Sequence, residues 1–128
     1  MNARSLIITS AVALIAVVPG SAAARHGGGT GKQVAGTCSG SSTAKLKVKP
    51  DDGRLETEFE VDQNRNGVRW KVTIRRNGRV AVSTHARTKA PSGSFSLNRR
   101  LSNGAGKDRI SARATSPSGE VCRASLSI

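Results

Sequence analysis

Basic side chains recur at alternate positions in several segments of the chain, and this spacing is the feature best suited to chemistry. If these segments are β-strands, alternate side chains point to one side of a sheet, so the cations would share a surface. Such a surface binds phosphate or carboxylate groups, and arginine gives the better two-pronged geometry. The residues expected to bind a polyanion are Arg69, Lys71, Arg75, Arg79, Arg109, Arg113 and Arg123. His85 and Arg87 are expected on the same face.

The net charge points to the same class of partner. The chain has 21 Lys and Arg against 8 Asp and Glu, a formal charge of +13. Outside a cell this favours phosphate-rich wall polymers, acidic polysaccharides, anionic lipid head groups or nucleic acid. Sequence-specific nucleic acid binding is not expected, because Phe59, Trp70 and Phe95 fall on inward positions and tyrosine is absent. A generally basic, solvated surface explains the same residues, and the sequence leaves both interpretations open.

A short acidic motif resembles the start of a calcium-binding loop. Asp62, Asn64 and Asn66 alternate and are followed by Gly67, as in loops where oxygen ligands converge on the ion. The bidentate glutamate that should close such a loop is replaced by Thr73. We therefore interpret residues 62–67 as a polar connection between strands, and we predict no metal site or cofactor.

Catalytic patterns are poorly developed. His85 is expected to point outward, and no serine or cysteine nucleophile accompanies it in a recognisable motif. Glu56, Glu58 and Glu60 share one face of a strand, but lysines opposite them would keep them ionised and solvated. A Gly-Gly-Gly-Thr-Gly-Lys string at residues 27–32 lacks the spacing and the preceding strand of a phosphate-binding loop. The sequence predicts a protein that is not an enzyme.

The N-terminal segment predicts export. Arg4 precedes an apolar run that ends at Pro19, and three alanines at 22–24 suit signal-peptide cleavage after residue 24. Residues 25–33 are expected to form a flexible Gly-rich leader, and residues 34–128 a single domain without a membrane span. In an exported protein Cys38 and Cys122 are expected to form one disulfide, with two free thiols as the alternative. We expect a secreted, extracellular, monomeric protein.

From position 34 onward, apolar residues recur at every second position. Together with regularly spaced turn residues, this alternation predicts an all-β, antiparallel sandwich of seven strands, with an eighth strand near residues 34–38. The predicted inward positions are Ala44, Leu46, Val48, Leu55, Thr57, Phe59, Val61, Val68, Trp70, Val72, Ile74, Val80, Val82, Thr84, Ala86, Phe95, Leu97, Ile110, Ala112, Ala114, Cys122, Ala124, Leu126 and Ile128.

Two turns are expected to set the register of their hairpins. A four-residue turn around Asp51 and Asp52 would place Lys49 opposite Arg54, with Lys47 opposite Glu56 and Lys45 opposite Glu58. This lysine and glutamate ladder would largely neutralise one outer face. A three-residue loop with Gly78 in a left-handed bulge would place Ile74 opposite Val80 and Val72 opposite Val82. The same register would bring Arg79 opposite Arg75.

The sequence also resembles known proteins. Residues 93–128, with Gly-Ser-Phe-Ser-Leu, Asp-Arg-Ile-Ser-Ala-Arg-Ala and Ser-Gly-Glu-Val-Cys, are similar to the closing three strands of bacterial immunoglobulin-like sandwiches, and Trp70 resembles their core tryptophan. Residues 59–70, 90–95, 106–110 and 116–122 resemble a group of small, uncharacterised secreted proteins of actinobacteria. The second resemblance implies a source and a compartment, and supplies no activity and no site residues.

These observations favour a secreted, non-enzymatic module that associates with an anionic polymer, such as a wall phosphate polymer or an acidic polysaccharide. The alternative is a secreted inhibitor or effector that binds a protein target through its loops. Residues 62–67 and 102–107 are the loops expected to do so, because both are polar and contain glycine.

Overall fold

The computed structural model describes residues 30–128, which form nine β-strands and no helix. The predicted signal peptide at residues 1–24 lies outside the described residues, as does most of the predicted leader. Nothing within residues 30–128 has the helical length and apolarity needed to cross a membrane. The strands are β1 Lys32–Ala35, β2 Thr37–Cys38, β3 Thr43–Asp51, β4 Arg54–Asp62, β5 Arg69–Arg76, β6 Arg79–Arg87, β7 Ser94–Ser102, β8 Arg109–Thr115 and β9 Val121–Ser127.

Two antiparallel sheets pack face to face as an immunoglobulin-like sandwich, which confirms the predicted fold class. The first sheet has four strands in the order β1-β3-β4-β7, and the second has five in the order β2-β9-β8-β5-β6. Alternate residues of both sheets point inward and form one apolar core. Trp70 is fully buried and packs 6.3 Å from Phe95, ring centre to ring centre, while Phe59 packs edge-on to Phe95.

The predicted eighth strand is divided between the two sheets. β1 pairs with β3 in the first sheet, and β2 pairs with β9 in the second. Gly36 lies at the corner between them, where a Cβ atom would stand 2.5 Å from the carbonyl oxygen of Arg123 and 2.9 Å from the Cβ of Ala44. Only glycine allows this close approach. β1 begins at Lys32, so the paired structure extends two residues into the segment predicted to be a flexible leader.

The turn between β3 and β4 has two residues, and the predicted four-residue turn is wrong. Asp52 and Gly53 both have positive φ angles, 50° and 73°, and Asp51 lies opposite Arg54. An Asp-Gly pair suits this tight turn because its twist matches that of the strands. The register moves by two residues relative to the prediction, so the same side chains still face outward.

The β5–β6 hairpin also contains a two-residue turn, in place of the predicted three-residue loop. Asn77 and Gly78 have φ angles of 50° and 80°, and Arg76 lies opposite Arg79. A β-bulge then follows: Arg75 is opposite Val80 but Ile74 is opposite Val82, so Ala81 is the extra residue. The bulge restores the inward direction of Val82, Thr84 and Ala86, which are half-buried.

Val80 is the predicted core residue that the structure places elsewhere. It precedes the bulge, lies opposite the outward-facing Arg75, and is 53% exposed. Its prediction as an inward residue is wrong because an extra residue in a strand reverses the direction of the side chains on one side of it.

The disulfide between Cys38 and Cys122 is present and joins directly opposed residues of β2 and β9. It links the start of the folded chain to its last strand across 84 positions of sequence. Cys122 is fully buried and belongs to the apolar core. The covalent link therefore holds the short strand β2, which has only two residues, against the second sheet.

Replacing both cysteines by alanine is expected to lower the free energy of unfolding by about 4 kcal/mol, because the unfolded chain loses a long closed loop. Denaturation by guanidinium chloride, followed by the fluorescence of Trp70, measures this difference. A loss below about 1 kcal/mol would show that β2 contributes to the sandwich without its covalent link.

Candidate polyanion-binding face

The outer faces of the two sheets differ in charge. On the first sheet, Lys45 lies opposite Glu60, Lys47 opposite Glu58 and Lys49 opposite Glu56. The predicted neutral ladder is therefore present, in the register set by the shorter turn. Lys45 Nζ and Glu60 Oε2 are 3.9 Å apart, and Arg100 Nη2 lies 3.5 Å from Asp51 Oδ2. Opposite charges on this face largely compensate each other.

The outer face of the second sheet carries an open depression, which we call the basic groove. It has a volume of about 1110 Å³ and crosses strands β2, β9, β8 and β5 as far as His85 of β6. Six of the seven predicted binding residues line it. They are Arg69, Lys71, Arg75, Arg109, Arg113 and Arg123. All six side chains are exposed.

Strand pairing arranges the groove in transverse rows. The central row consists of Thr73, Arg113, Arg123 and Thr37, which lie side by side from β5 to β2. Ser111 and Ser125 are opposed in the next row. Short hydroxyl side chains line the groove beside the long basic side chains. These hydroxyl residues were not among the predicted binding residues, although they occupy the same alternating positions as the basic ones.

The positive charge of the groove is not compensated within the protein. None of the 8 acidic residues lines it. Within residues 30–128, the side chains of Arg69, Lys71, Arg113 and Arg123 take part in no ion pair or hydrogen bond. Arg75 donates weakly to the Gly78 carbonyl (3.3 Å), and Arg109 donates from Nε to Ser125 Oγ (3.3 Å). The cationic groups of the groove are therefore available to an external anion.

Like charges also lie directly opposite each other here. Arg113 faces Arg123, and Arg69 faces Arg87. Each such pair destabilises a sheet by a few tenths of a kcal/mol in the absence of a counterion. Arg69, His85 and Arg87 also border a smaller hollow at the β6 edge.

Arg79 does not line the basic groove, and its predicted place opposite Arg75 is wrong. The two-residue turn places it opposite Arg76, and the bulge at Ala81 separates it from the outward row of β6. Arg76 itself points away from the groove and binds Asp108, with Nη2 and Oδ1 2.8 Å apart. The structure thus divides the basic residues of this hairpin between two sides of the sheet.

Asp108 is the centre of a buried polar cluster at that end of the sandwich. Its carboxylate is 2% exposed and also accepts a hydrogen bond from Asn77 Nδ2 (2.9 Å). With its amide nitrogen facing the carboxylate, Asn103 donates to Oδ2 (3.0 Å). The backbone of Asp108 exchanges two hydrogen bonds with Ile128. This cluster fixes the β5–β6 turn, the residue 102–107 loop and the end of the chain to one another.

The calcium-like motif closes on itself. Asp62 Oδ1 accepts a hydrogen bond from the backbone nitrogen of Asn64 (3.0 Å), which makes an Asx turn. Thr88 is buried beneath the loop, where its hydroxyl accepts from Val68 N (2.9 Å) and donates to Arg65 O. Within residues 30–128, the one group of potential metal ligands close enough to share an ion is Cys38, Glu120 and Cys122, whose two sulfurs are disulfide-bonded.

The two loops suspected of binding a protein target lie at opposite ends of the sandwich. β4 and β7 are antiparallel, so Asp62 is beside Ser94 whereas Ser102 is beside Arg54. Residues 62–67 and 102–107 therefore cannot form one docking surface. The structure brings six predicted polyanion-binding residues together and separates the loops of the alternative hypothesis.

In comparisons with known proteins, no family model, curated protein or solved structure matches the chain.

The Asp108 cluster gives a test of the structure beside the groove. Replacing Asp108 by alanine is expected to lower the free energy of unfolding by about 3 kcal/mol or more, because Arg76 is left half-buried without its counterion. Replacing Asp51, the partner of Arg100 in an exposed pair, is the control and should cost about 1 kcal/mol or less. Equal losses for the two variants in urea denaturation would contradict this assignment.

Proposed function

We propose that this protein is a secreted, non-enzymatic module that associates with anionic polymers outside the cell through its basic groove. The observation that carries the proposal is the clustering of six uncompensated cations beside short hydroxyl side chains on one face, while the opposite face is internally neutralised. The disulfide supports an oxidising compartment, because structural disulfides persist outside the cytoplasm. The predicted signal peptide supports the same location.

The shape of the groove favours an extended polymer over a compact ligand. It is open along its length and crosses at least four strands, each about 4.8 Å from the next. A linear chain of phosphate or carboxylate groups can contact several cations in succession, and each contact displaces a counterion. Such binding is strong at low ionic strength and falls steeply as salt is added.

The chemistry of the groove argues against recognition by stacking. Phe59, Trp70 and Phe95 are all buried in the core, so no phenylalanine or tryptophan ring of residues 30–128 is available to nucleic acid bases or sugar rings. The anionic groups of the ligand would provide the attraction. Wall phosphate polymers and acidic polysaccharides fit this description better than nucleic acids read by their bases.

Retention on immobilised teichoic acid and on immobilised heparin across a salt gradient tests the proposal. Replacing Arg69, Arg75, Arg113 and Arg123 together by glutamine is expected to move elution to much lower salt. If all four contact the polymer, the slope of log affinity against log salt falls by about three to four, since each lost contact removes almost one counterion.

The control is a variant with the same change in net charge on the other face. Replacing Lys45, Lys47, Lys49 and Arg54 by glutamine also removes four positive charges, but from the ladder of the first sheet. This variant should keep most of the retention and the slope of the parent protein. If the two variants weaken binding equally, net charge alone attracts the polymer and the basic groove has no special role.

A further inference from the structure

We infer that Arg113 and Arg123 form a subsite for a tetrahedral dianion, the terminal phosphate group of a phosphate monoester. This inference rests on the proposed function and deepens it, because it names the end group of the anionic polymer, a terminal phosphate, that the middle of the basic groove takes. The two arginines are directly opposed on β8 and β9, which are both inner strands of the second sheet. They therefore lie at the centre of the groove rather than at its rim.

The pairing of these two arginines sets the number of charges that the ligand should carry. Opposed side chains on neighbouring strands have Cβ atoms about 5 Å apart, so both guanidinium groups can reach one small anion. A carboxylate neutralises only one of the two cations. A phosphate monoester carries close to two negative charges near neutral pH and neutralises both.

The shape of the guanidinium group also favours a phosphate monoester. Each guanidinium binds most strongly as a fork, with two N–H groups donating to two oxygens of one anion. A carboxylate has one pair of oxygens and can receive one such fork in full. The terminal phosphate of a monoester has three free oxygens and so offers a different pair to each arginine. A phosphodiester has only two free oxygens and resembles the carboxylate in this respect.

Neighbouring hydroxyl groups complete the environment. Thr73 lies beside Arg113 in the same row, and Thr37 lies beside Arg123. Ser111 and Ser125 are opposed in the adjoining row. All four residues line the groove, and their hydroxyls can donate to oxygens that the arginines leave free.

The covalent structure keeps this arrangement in place. Thr37 and Arg123 are the sequence neighbours of Cys38 and Cys122, and the two pairs are adjacent in the β2–β9 register. The disulfide thus holds Thr37 next to Arg123. Below the subsite, Ala112, Ala114, Cys122 and Ala124 are buried in the core and keep β8 and β9 from moving independently.

The test uses the full domain and three small probes at pH 8 and matched ionic strength: phenyl phosphate, dimethyl phosphate and acetate. NMR signals of the arginine Nε–H groups report which side chains respond. We expect phenyl phosphate to bind at least about tenfold more tightly than either other probe, with the largest shifts at Arg113 and Arg123.

Lysine variants distinguish the effect of guanidinium geometry on phosphate binding from the effect of charge. Replacing Arg113 and Arg123 by lysine keeps both charges but removes the forks, so the preference for phenyl phosphate should fall about tenfold. The matched variant with lysine at Arg54 and Arg100, which lie on the first sheet, should keep the preference. Retention of the unsubstituted protein on the polymer columns tests the proposed function separately, so retention without a preference for phenyl phosphate contradicts this inference alone.

Three outcomes would overturn the inference. The first is equal affinity for the three probes. The second is a response centred on Arg69 or Arg75. The third is an unchanged preference in the Arg113 and Arg123 lysine variant, whose fold is checked by its near-ultraviolet circular dichroism and by the single variants R113K and R123K.

Discussion

Alternation of side chains along each strand couples the core of this sandwich to its charged surface. On β5, the residues Trp70, Val72 and Ile74 are fully buried, and the residues between them necessarily point to the solvent side of the second sheet. The same holds on β8 and β9, where buried alanines and Cys122 alternate with Arg113 and Arg123. Burial of the apolar set therefore determines where the cations lie, and no separate interaction is needed to gather them.

The same rule explains which parts of the molecule could be predicted from the sequence. Alternation of side chains along each strand predicts the two-sheet fold, the buried residues of β3, β4 and β5, and the neutral ladder. It also predicts six of the groove residues, and the structure contains all of these features. The disulfide followed from the expected compartment. The outward direction of Thr73, Ser111 and Ser125 also follows from this alternation. Short hydroxyl residues on a strand do not by themselves indicate a binding site, however, and they become candidates only once the structure shows the cations beside them.

The rule of alternation gave a wrong prediction in the β5–β6 hairpin, where two local preferences conflict. At Asn77 and Gly78, turn chemistry favours a two-residue connection, which by itself would set outward residues of β5 against inward residues of β6. The prediction kept the inward residues of β5 opposite those of β6 by assuming a three-residue turn. The structure keeps the tight turn and inserts Ala81 as a bulge. Arg79 and Val80 precede this extra residue, so they are the two positions whose predicted surroundings changed.

The link between Cys38 and Cys122 has a mechanical consequence. It encloses strands β3 to β8 within one covalent loop, and the described residues outside that loop are 30–37 and 123–128. A pulling force applied to the two ends of the described chain would pass from one sulfur to the other and bypass the enclosed strands. A domain held between two attachment points could therefore bear tension while strands β5, β6 and β8 of the second sheet stay unstretched.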